Sequence, residues 1–378
     1  MDYKEGSFNF LTLILKSLTI DFSTKEGIAG VNGPYRDAET GVRAKAHMIA
    51  LLSNLDRAGN TKQHQQQVEG LVTSLLESEH RLAFSVFEQR KKPGKDEVNG
   101  VIGIAWIIEA MCCAYQTYGT KEAKIFLQKI EGELNFNTNR ALWTRPVLPD
   151  NKYYKTIDET FNHQLWLAYG LVFKAKALGE PLSANVQAYF DNLNRSFKIH
   201  NSGLIIHAVH YSSSLKSKVK TMLKSLRDGV QVRLLGKTKK YKENGYHLFN
   251  MFAFARMADL GYADLFAANT RFKKALEYTQ SSTLLAGLCN NEDEQDFYKI
   301  EPFSNLPYNR YGFPYNVAGL EFVYVDKVLD LKVSKKVKEC YWESQMKCYD
   351  QGKLEDPVLL TEDVPNLYLR AYELSFVL

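Results

Sequence analysis

The sequence predicts an all-α fold, and within that class an (α/α)6 toroid, a closed ring of six helical hairpins. Three observations lead there. Helix-period patterns dominate the chain, and continuous β-alternation is scarce. The helical patterns come in two alternating kinds, one apolar nearly all round and one amphipathic with a wet face. A helix apolar on every side must be enclosed by protein, whereas one with a single apolar stripe lies outside. Six segments of the enclosed kind can be counted, each with an amphipathic partner beside it. Sequential antiparallel neighbours joined by mostly short loops would close them into a ring. A right-handed α-solenoid is the competing arrangement, but the loops repeat neither in length nor in sequence, and no fixed period is visible.

In chain order, the first outer helix is "FNFLTLILKSLTIDF" (8–22). Its apolar part is as long as a signal h-region, yet mixed charges precede it and no small-residue cleavage site follows, so it reads as an amphipathic helix. The first inner helix starts near Thr40 in "GPYRDAETGVRAKAH" and is followed by the outer "HQQQVEGLVTSLLESE" (64–79). The second pair is "VNGVIGIAWIIEAMCCAYQTYG" (98–119) with "KEAKIFLQKIEGEL" (121–134). The third is "DETFNHQLWLAYGLVFKAK" (158–176) with "SANVQAYFDNLNRSF" (183–197). The fourth inner helix is "GYHLFNMFAFARMADLG" (245–261), the fifth starts near Asn316 before the outer "KKVKECYWESQMKCYD" (335–350), and the sixth starts near Thr361. The longest interruption, 198–243, opens with a strand-like "SGLIIHAVHY" and continues as a strongly basic tract. That tract reads as a solvated helix and loop, or as the flank of an acidic cleft's entrance. The whole of 1–378 is therefore expected to form one toroidal domain with a basic insertion at about 198–243.

Composition narrows the function classes. Hydrophobic residues at 45% and charged residues at 24% fit a soluble globular protein with a sizeable core. No apolar run approaches the roughly 20 residues that a membrane span needs. A net charge of +5 is small for 378 residues and argues against a dedicated nucleic-acid binder. Cys112, Cys113, Cys289, Cys340 and Cys348 are odd in number and form no CxxC pair, which points to buried thiols in a reducing compartment, the cytoplasm. Aromatics reach 12%, which suits a sugar-holding cleft as well as a large core. There is no HExxH, DxDxDG, GxxxxGK[ST], GxGxxG or GxSxG motif, and His207 and His210 in a strand-like run would face opposite ways, so neither metal nor cofactor is expected.

If the inner helices run parallel, their N-termini open on one face of the ring. The segments there are "GPYRDAET", "KDEVNG", "TIDETFNHQ", "KENGYHLFN", "NLPYNRYGFPYN" and "LLTEDVPN". Capping calls for Ser, Thr, Asp or Asn with a Glu three positions on, as Thr156 and Glu159 would supply. It does not call for His, Tyr, Arg and paired carboxylates together. Helical spacing would pair Asp158 with Asn162 and Glu159 with His163. Glu109 lies about three turns inside the most apolar helix, where a carboxylate must be paired or protonated; it is either a general acid or the partner of an arginine such as Arg43. Glu39 and Arg43 form an i,i+4 pair continued by His47, and an inward arginine stripe needs carboxylates, the protein's own or a ligand's. With Arg310 added, forked guanidinium groups favour an acidic sugar.

Taken together, "GPYRDAETGVRAKAH", "VNGVIGIAWIIEA", "TFNHQLWLA", "GYHLFN" and "TEDVPNLYLRAYEL" resemble, in that order and over nearly the whole chain, the AglQ-like proteins of archaeal and bacterial glycan-assembly gene clusters, grouped with the six-hairpin glycosidases. The first motif departs from the family pattern at Gly41, where proline is expected, and at Met48, where an aromatic is expected. The resemblance implies a toroid acting on glycans, often hexuronate-containing ones, as hydrolase, epimerase or lyase.

The leading expectation is a glycoside hydrolase acting on a uronate-containing polysaccharide or oligosaccharide. Its two carboxyl groups would be Asp37 and Asp158, with Glu109 and Glu321 in reserve and His163 beside them. Contacts to sugar are expected from Tyr35, Arg36, Glu39, Asn99, Trp106, Asn162, Trp166, Tyr246, His247, Asn250, Tyr308, Asn309 and Arg310. The alternative enzyme is a uronate lyase or epimerase. There a His or Tyr takes the proton α to the carboxylate while Asn and Arg neutralise the enolate. A non-catalytic glycan-binding ring is the third reading. A terpene-cyclase-like toroid is disfavoured by the lack of a DDxxD cluster. The sequence sets no oligomeric state.

Overall fold

The structure, a computed structural model, describes residues 3–17, 30, 32–91, 96–146, 156–209, 229–290, 308–349 and 363–378. It is mostly helical. The helices are α1 (Tyr3–Ser17), α2 (Val42–Gly59), α3 (Gln65–Leu76), α4 (Ile102–Tyr118) and α5 (Lys121–Ile130). They continue as α6 (Phe161–Leu178), α7 (Ala184–Asp191), α8 (Leu193–Ser196), α9 (Gly229–Asp259) and α10 (Thr270–Thr279). The last are α11 (Ser282–Leu288), α12 (Ala318–Leu329), α13 (Lys335–Cys348), α14 (Val364–Leu369) and α15 (Tyr372–Ser375). Two small antiparallel ribbons sit in the connections, β1 (Arg81–Ala83) with β2 (Val86–Phe87) and β3 (Phe136–Asn137) with β4 (Leu142–Trp143).

The apolar helices pack in succession: α2 on α4, α4 on α6, α6 on α9, α9 on α12, α12 on α15, and α15 back on α2. The amphipathic ones lie against them, α3 on α2 and α4, α5 on α4 and α6, α7 on α6, α10 and α11 on α9, α13 on α12, and α1 on α15. Residues 102–114 of α4 are buried without exception, as an enclosed helix requires. The expected starts at Thr40, Val98, Asp158 and Asn316 fall within four residues of the observed ones.

The fourth inner helix differs. α9 begins at Gly229 rather than near Gly245, because the stretch ahead of Gly245, rich in lysine and leucine, is itself helix-forming sequence. Gly245 sits inside the helix where a Cβ would stand 2.4 Å from that of Tyr311, so the close approach admits no larger side chain. Of the expected basic insertion, 210–228 lies outside the described residues, as do residues 18–22 of the first outer helix and the expected sixth start at Thr361. The strand-like stretch near 202–209 makes only isolated bridges, Ile199 with Ile205 and Ala208 with Thr160.

Polar groups on the inner helices find one another across the interior. The Glu109 carboxylate accepts from the Tyr169 hydroxyl at 2.5 Å and the Tyr372 hydroxyl at 2.9 Å. Arg256 donates through Nε to Tyr169 at 3.0 Å and through Nη1 to Tyr324 at 2.8 Å. Burial raises the Glu109 pKa, and the Arg256 charge and the two hydroxyls pull against it. Side chains from α4, α6, α9, α12 and α15 thereby share one network, and Arg43 is not part of it.

Trp166, expected at the sugar, is fully buried instead. Its ring stacks on Phe249 at 4.5 Å and its Nε1 donates to the Phe249 carbonyl at 3.2 Å. Trp166→Ala is therefore expected to cost roughly 3–5 kcal/mol of stability, read by denaturant unfolding. A variant of wild-type stability would place the ring outside the core.

Candidate active site

A cavity of about 260 Å³ is walled by residues at or ahead of the starts of α2, α4, α6 and α12 and by residues from the middle of α9. Its wall takes Asn99 and Trp106 from the start of α4, Asn162 and His163 from the start of α6, and Tyr246 from α9. Tyr35, ahead of α2, completes the set of expected residues found on the lining.

The centre of the site is Asp158, which is fully buried. α6 begins at Phe161 after the extended Thr160, so Asp158 lies before the helix rather than in its first turn. Its Oδ2 accepts from His163 Nδ1 at 2.8 Å and from the Val101 amide at 2.9 Å, and its Oδ1 accepts from the Thr160 amide at 3.1 Å. The i,i+4 pairing expected from helical spacing is therefore replaced by a pair five residues apart, and the Thr156–Glu159 capping box does not form. Burial alone would raise the Asp158 pKa, but His163, the Val101 amide and the Arg145 charge outweigh it and hold the carboxyl at about 2. Gly100 makes this possible. It has φ +57°, and a Cβ there would lie 1.9 Å from Asp158 Oδ2 and 2.5 Å from His163 Nδ1. The "VNG" of the sequence is thus the turn that lets α4 start against the dyad. His163 itself is 18% exposed and faces the cavity.

Other expected site residues lie off the lining. Asp37 is buried elsewhere and Arg36 is exposed. Glu39 is tied to Arg43 at 2.5 Å, burial raising its pKa to about 7 against the arginine's pull, and Arg43 also reaches Asp363 at 3.3 Å. Glu321 accepts from Arg370 at 3.0 Å, and Glu373 meets the same guanidinium. His247 is buried, accepting from the Ile205 amide through Nδ1 at 3.4 Å and approaching Thr279 through Nε2 at 3.0 Å. Burial lowers its pKa to about 3, which keeps it a neutral bridge between α9 and α10. Asn250 bonds back to the Tyr246 carbonyl at 2.8 Å. Asn309 fixes its loop by donating to the Tyr241 carbonyl at 2.8 Å, Tyr308 packs edge-on to Phe313, and Arg310 is buried off the lining.

Residues outside the expected set join the wall instead: Arg90, Asp96, Arg145, His207, Lys242 and Arg370. Asp96 and Lys242 stood inside the quoted helix-start segments, so the polar excess there carried their signal. Arg90 and Arg145 come from connections with no period to reveal them. Asp96 is the one carboxylate among the described residues of the lining, beside cations at Arg90, Arg145, Lys242 and Arg370. Among the described residues no group of three or more His, Cys, Asp or Glu is placed to hold a metal ion.

The depressed Asp158 pKa sets a pH dependence. The folded value of about 2 lies below the ordinary 3.8, so the stability it carries is present above about pH 4 and is lost as pH falls towards 2. The gap in unfolding free energy between the native chain and Asp158→Asn is expected to shrink by roughly 2 kcal/mol over that window. A gap that stays constant would contradict the dyad.

Over 294 residues, 75% of the chain, the sequence is 28% identical to archaeal glycosylation protein Q of Haloferax volcanii, covering 76% of that protein. No protein-family model and no solved structure matches the chain. The motifs of the sequence and this similarity along three quarters of the chain agree in direction: the chain resembles an archaeal glycosylation protein.

Proposed function

We propose that this chain is a carbohydrate-active enzyme of glycan assembly that acts on a uronate-bearing glycan by removing the proton next to the carboxylate, as a lyase or epimerase. The observation that carries this reading is the His163 imidazole on the cavity wall, tied through Nδ1 to the buried Asp158. With Nδ1 engaged, Nε2 is the atom left for a substrate. The aspartate fixes the tautomer and stabilises the imidazolium once the proton is taken. Asn162 and Arg145 share that wall and supply the amide and charge that neutralise the enolate as it grows. On the same lining, the Tyr35 and Tyr246 hydroxyls lie 3.2 Å apart. Burial pushes both pKa values up, which keeps both phenols protonated at neutral pH. In this reading one of them gives its proton to the leaving oxygen in a lyase, or to the opposite face of the carbon in an epimerase, and takes a proton back from water.

Hydrolysis by paired carboxylates requires two carboxyl groups flanking the scissile bond. With Asp37, Glu109 and Glu321 off the lining, only Asp96 is available there among the described residues, which weighs for proton abstraction. The similarity to an archaeal glycosylation protein supports a place in glycan assembly. The succession of inner helices returning from α15 to α2 supports an (α/α)6 toroid formed by the chain as one domain. Five cysteines outside any disulfide support a reducing compartment such as the cytoplasm. No helix of the described residues is long and apolar enough to cross a membrane.

Incubation with a panel of uronate oligosaccharides tests this. An unsaturated uronate, seen by its ultraviolet absorbance, or an inverted centre, seen by NMR, is expected from the native chain. His163→Gln is expected to lose about 10²–10⁴-fold of that rate while staying folded. New reducing ends without unsaturation would replace this reading with hydrolysis, and untouched glycans would replace it with a binding protein.

A further inference from the structure

The cations of the cavity are not all answered by the protein. Arg370 is met by Glu321 and Glu373, and Arg145 lies 3.9 Å from Asp96. Arg90 and Lys242 make no salt bridge to a carboxylate among the described residues; the Glu39 charge acts on Arg90 and the Glu243 charge on Lys242 without direct contact. Arg90 Nη2 donates to the neutral Asn99 amide oxygen, and its buried Nε has no partner. Glu39 bridges to Arg90 through backbone, and its carboxylate is salt-bridged to Arg43, with the Arg90 charge a lesser influence on it. The Lys242 ammonium lies over the rings of Tyr35 at 5.2 Å, Tyr246 at 5.4 Å and Tyr311 at 5.9 Å. Its neighbour Glu243 is taken by His200 at 2.7 Å and the His207 amide at 3.2 Å. Burial, followed by the Arg90 charge, lowers the Lys242 pKa to about 8. Ring faces offset part of the cost of these charges, but two like charges in one partly buried wall are stable chiefly when an anion joins them.

We propose that Arg90 and Lys242 form a second anion subsite, so that the sugar entering the cavity carries another oxyanion group besides the carboxylate next to His163. The first anion rests on the proton-abstraction reading above; the second stands on two cations of the cavity wall that lack a salt-bridged carboxylate among the described residues. Its chemistry is that of a phosphoryl ester on the sugar or the carboxylate of an adjoining uronate. Guanidinium and ammonium groups bind both, and a phosphoryl group carries enough charge to meet the two together.

Calorimetric titration with glucose, glucose 1-phosphate, galacturonate, galacturonate 1-phosphate and digalacturonate separates these cases. Galacturonate 1-phosphate or digalacturonate is expected to bind about tenfold or more tightly than galacturonate. Arg90→Gln and Lys242→Met should each erase that advantage, whereas Arg145→Gln should keep it. A gain from galacturonate 1-phosphate alone assigns the subsite to phosphate, and a gain from digalacturonate alone to a second uronate. Lys242→Met guards against Arg90→Gln acting through Asn99, and melting curves report whether either variant is misfolded. If galacturonate binds no better than glucose while glucose 1-phosphate binds through Arg90 and Lys242, the uronate reading fails and the subsite stands. No advantage in the native chain, or an advantage that survives both substitutions, overturns the proposal.

Discussion

The Asp158 carboxylate is the joint on which the site depends. It is fully buried, and its two oxygens hold the start of α4 through the Val101 amide, the entry to α6 through the Thr160 amide, and the His163 ring. An ionised group out of water is tolerated only when its lone pairs are met. Here they are met by donors from two inner helices, so the relative placement of those helices and the orientation of the imidazole are one constraint. The Gly100 turn belongs to the same constraint, since any side chain there would occupy the carboxylate's place.

Below this joint and above it the polar groups behave differently. Deeper in, Glu109 is answered by tyrosine hydroxyls backed by Arg256, and Glu321 and Glu373 by Arg370. These groups satisfy one another and bind the inner helices together. At the cavity the balance tips: His163, His207, Arg90 and Lys242 line the space, and the buried Arg90 Nε and His207 Nδ1 have no hydrogen-bond partner. A region where positive and hydrogen-bonding groups exceed their internal partners is one prepared for an anionic, hydroxylated ligand.

Much of the fold was legible because an enclosed helix has no polar face to hide, and stretches such as 102–114 announce themselves. The N-terminal excess of polar residues likewise pointed to Tyr35, Asn99, Asn162, His163 and Tyr246. What was not legible was rotation. His247 follows Tyr246 by one residue, roughly 100° around the helix, and so faces α10 rather than the cavity. Periodicity places residues on a helix but not the helix about its axis, which is why Trp166 and Asn250 were also read as facing the ligand. The pairing of Asp158 with His163 depended on where α6 begins, a boundary that capping residues ahead of it left open by a few positions. Arg90 and Arg145 reach the wall from connections, whose paths no local pattern encodes.

The central claim is that His163 removes a proton from the carbon bearing the uronate carboxylate. A substrate carrying deuterium at that carbon reads this directly by mass. The native chain is expected to release the label to water as product forms, and His163→Gln to leave it in place. Product that forms with the deuterium fully retained would contradict proton abstraction and the role given to the Asp158–His163 pair.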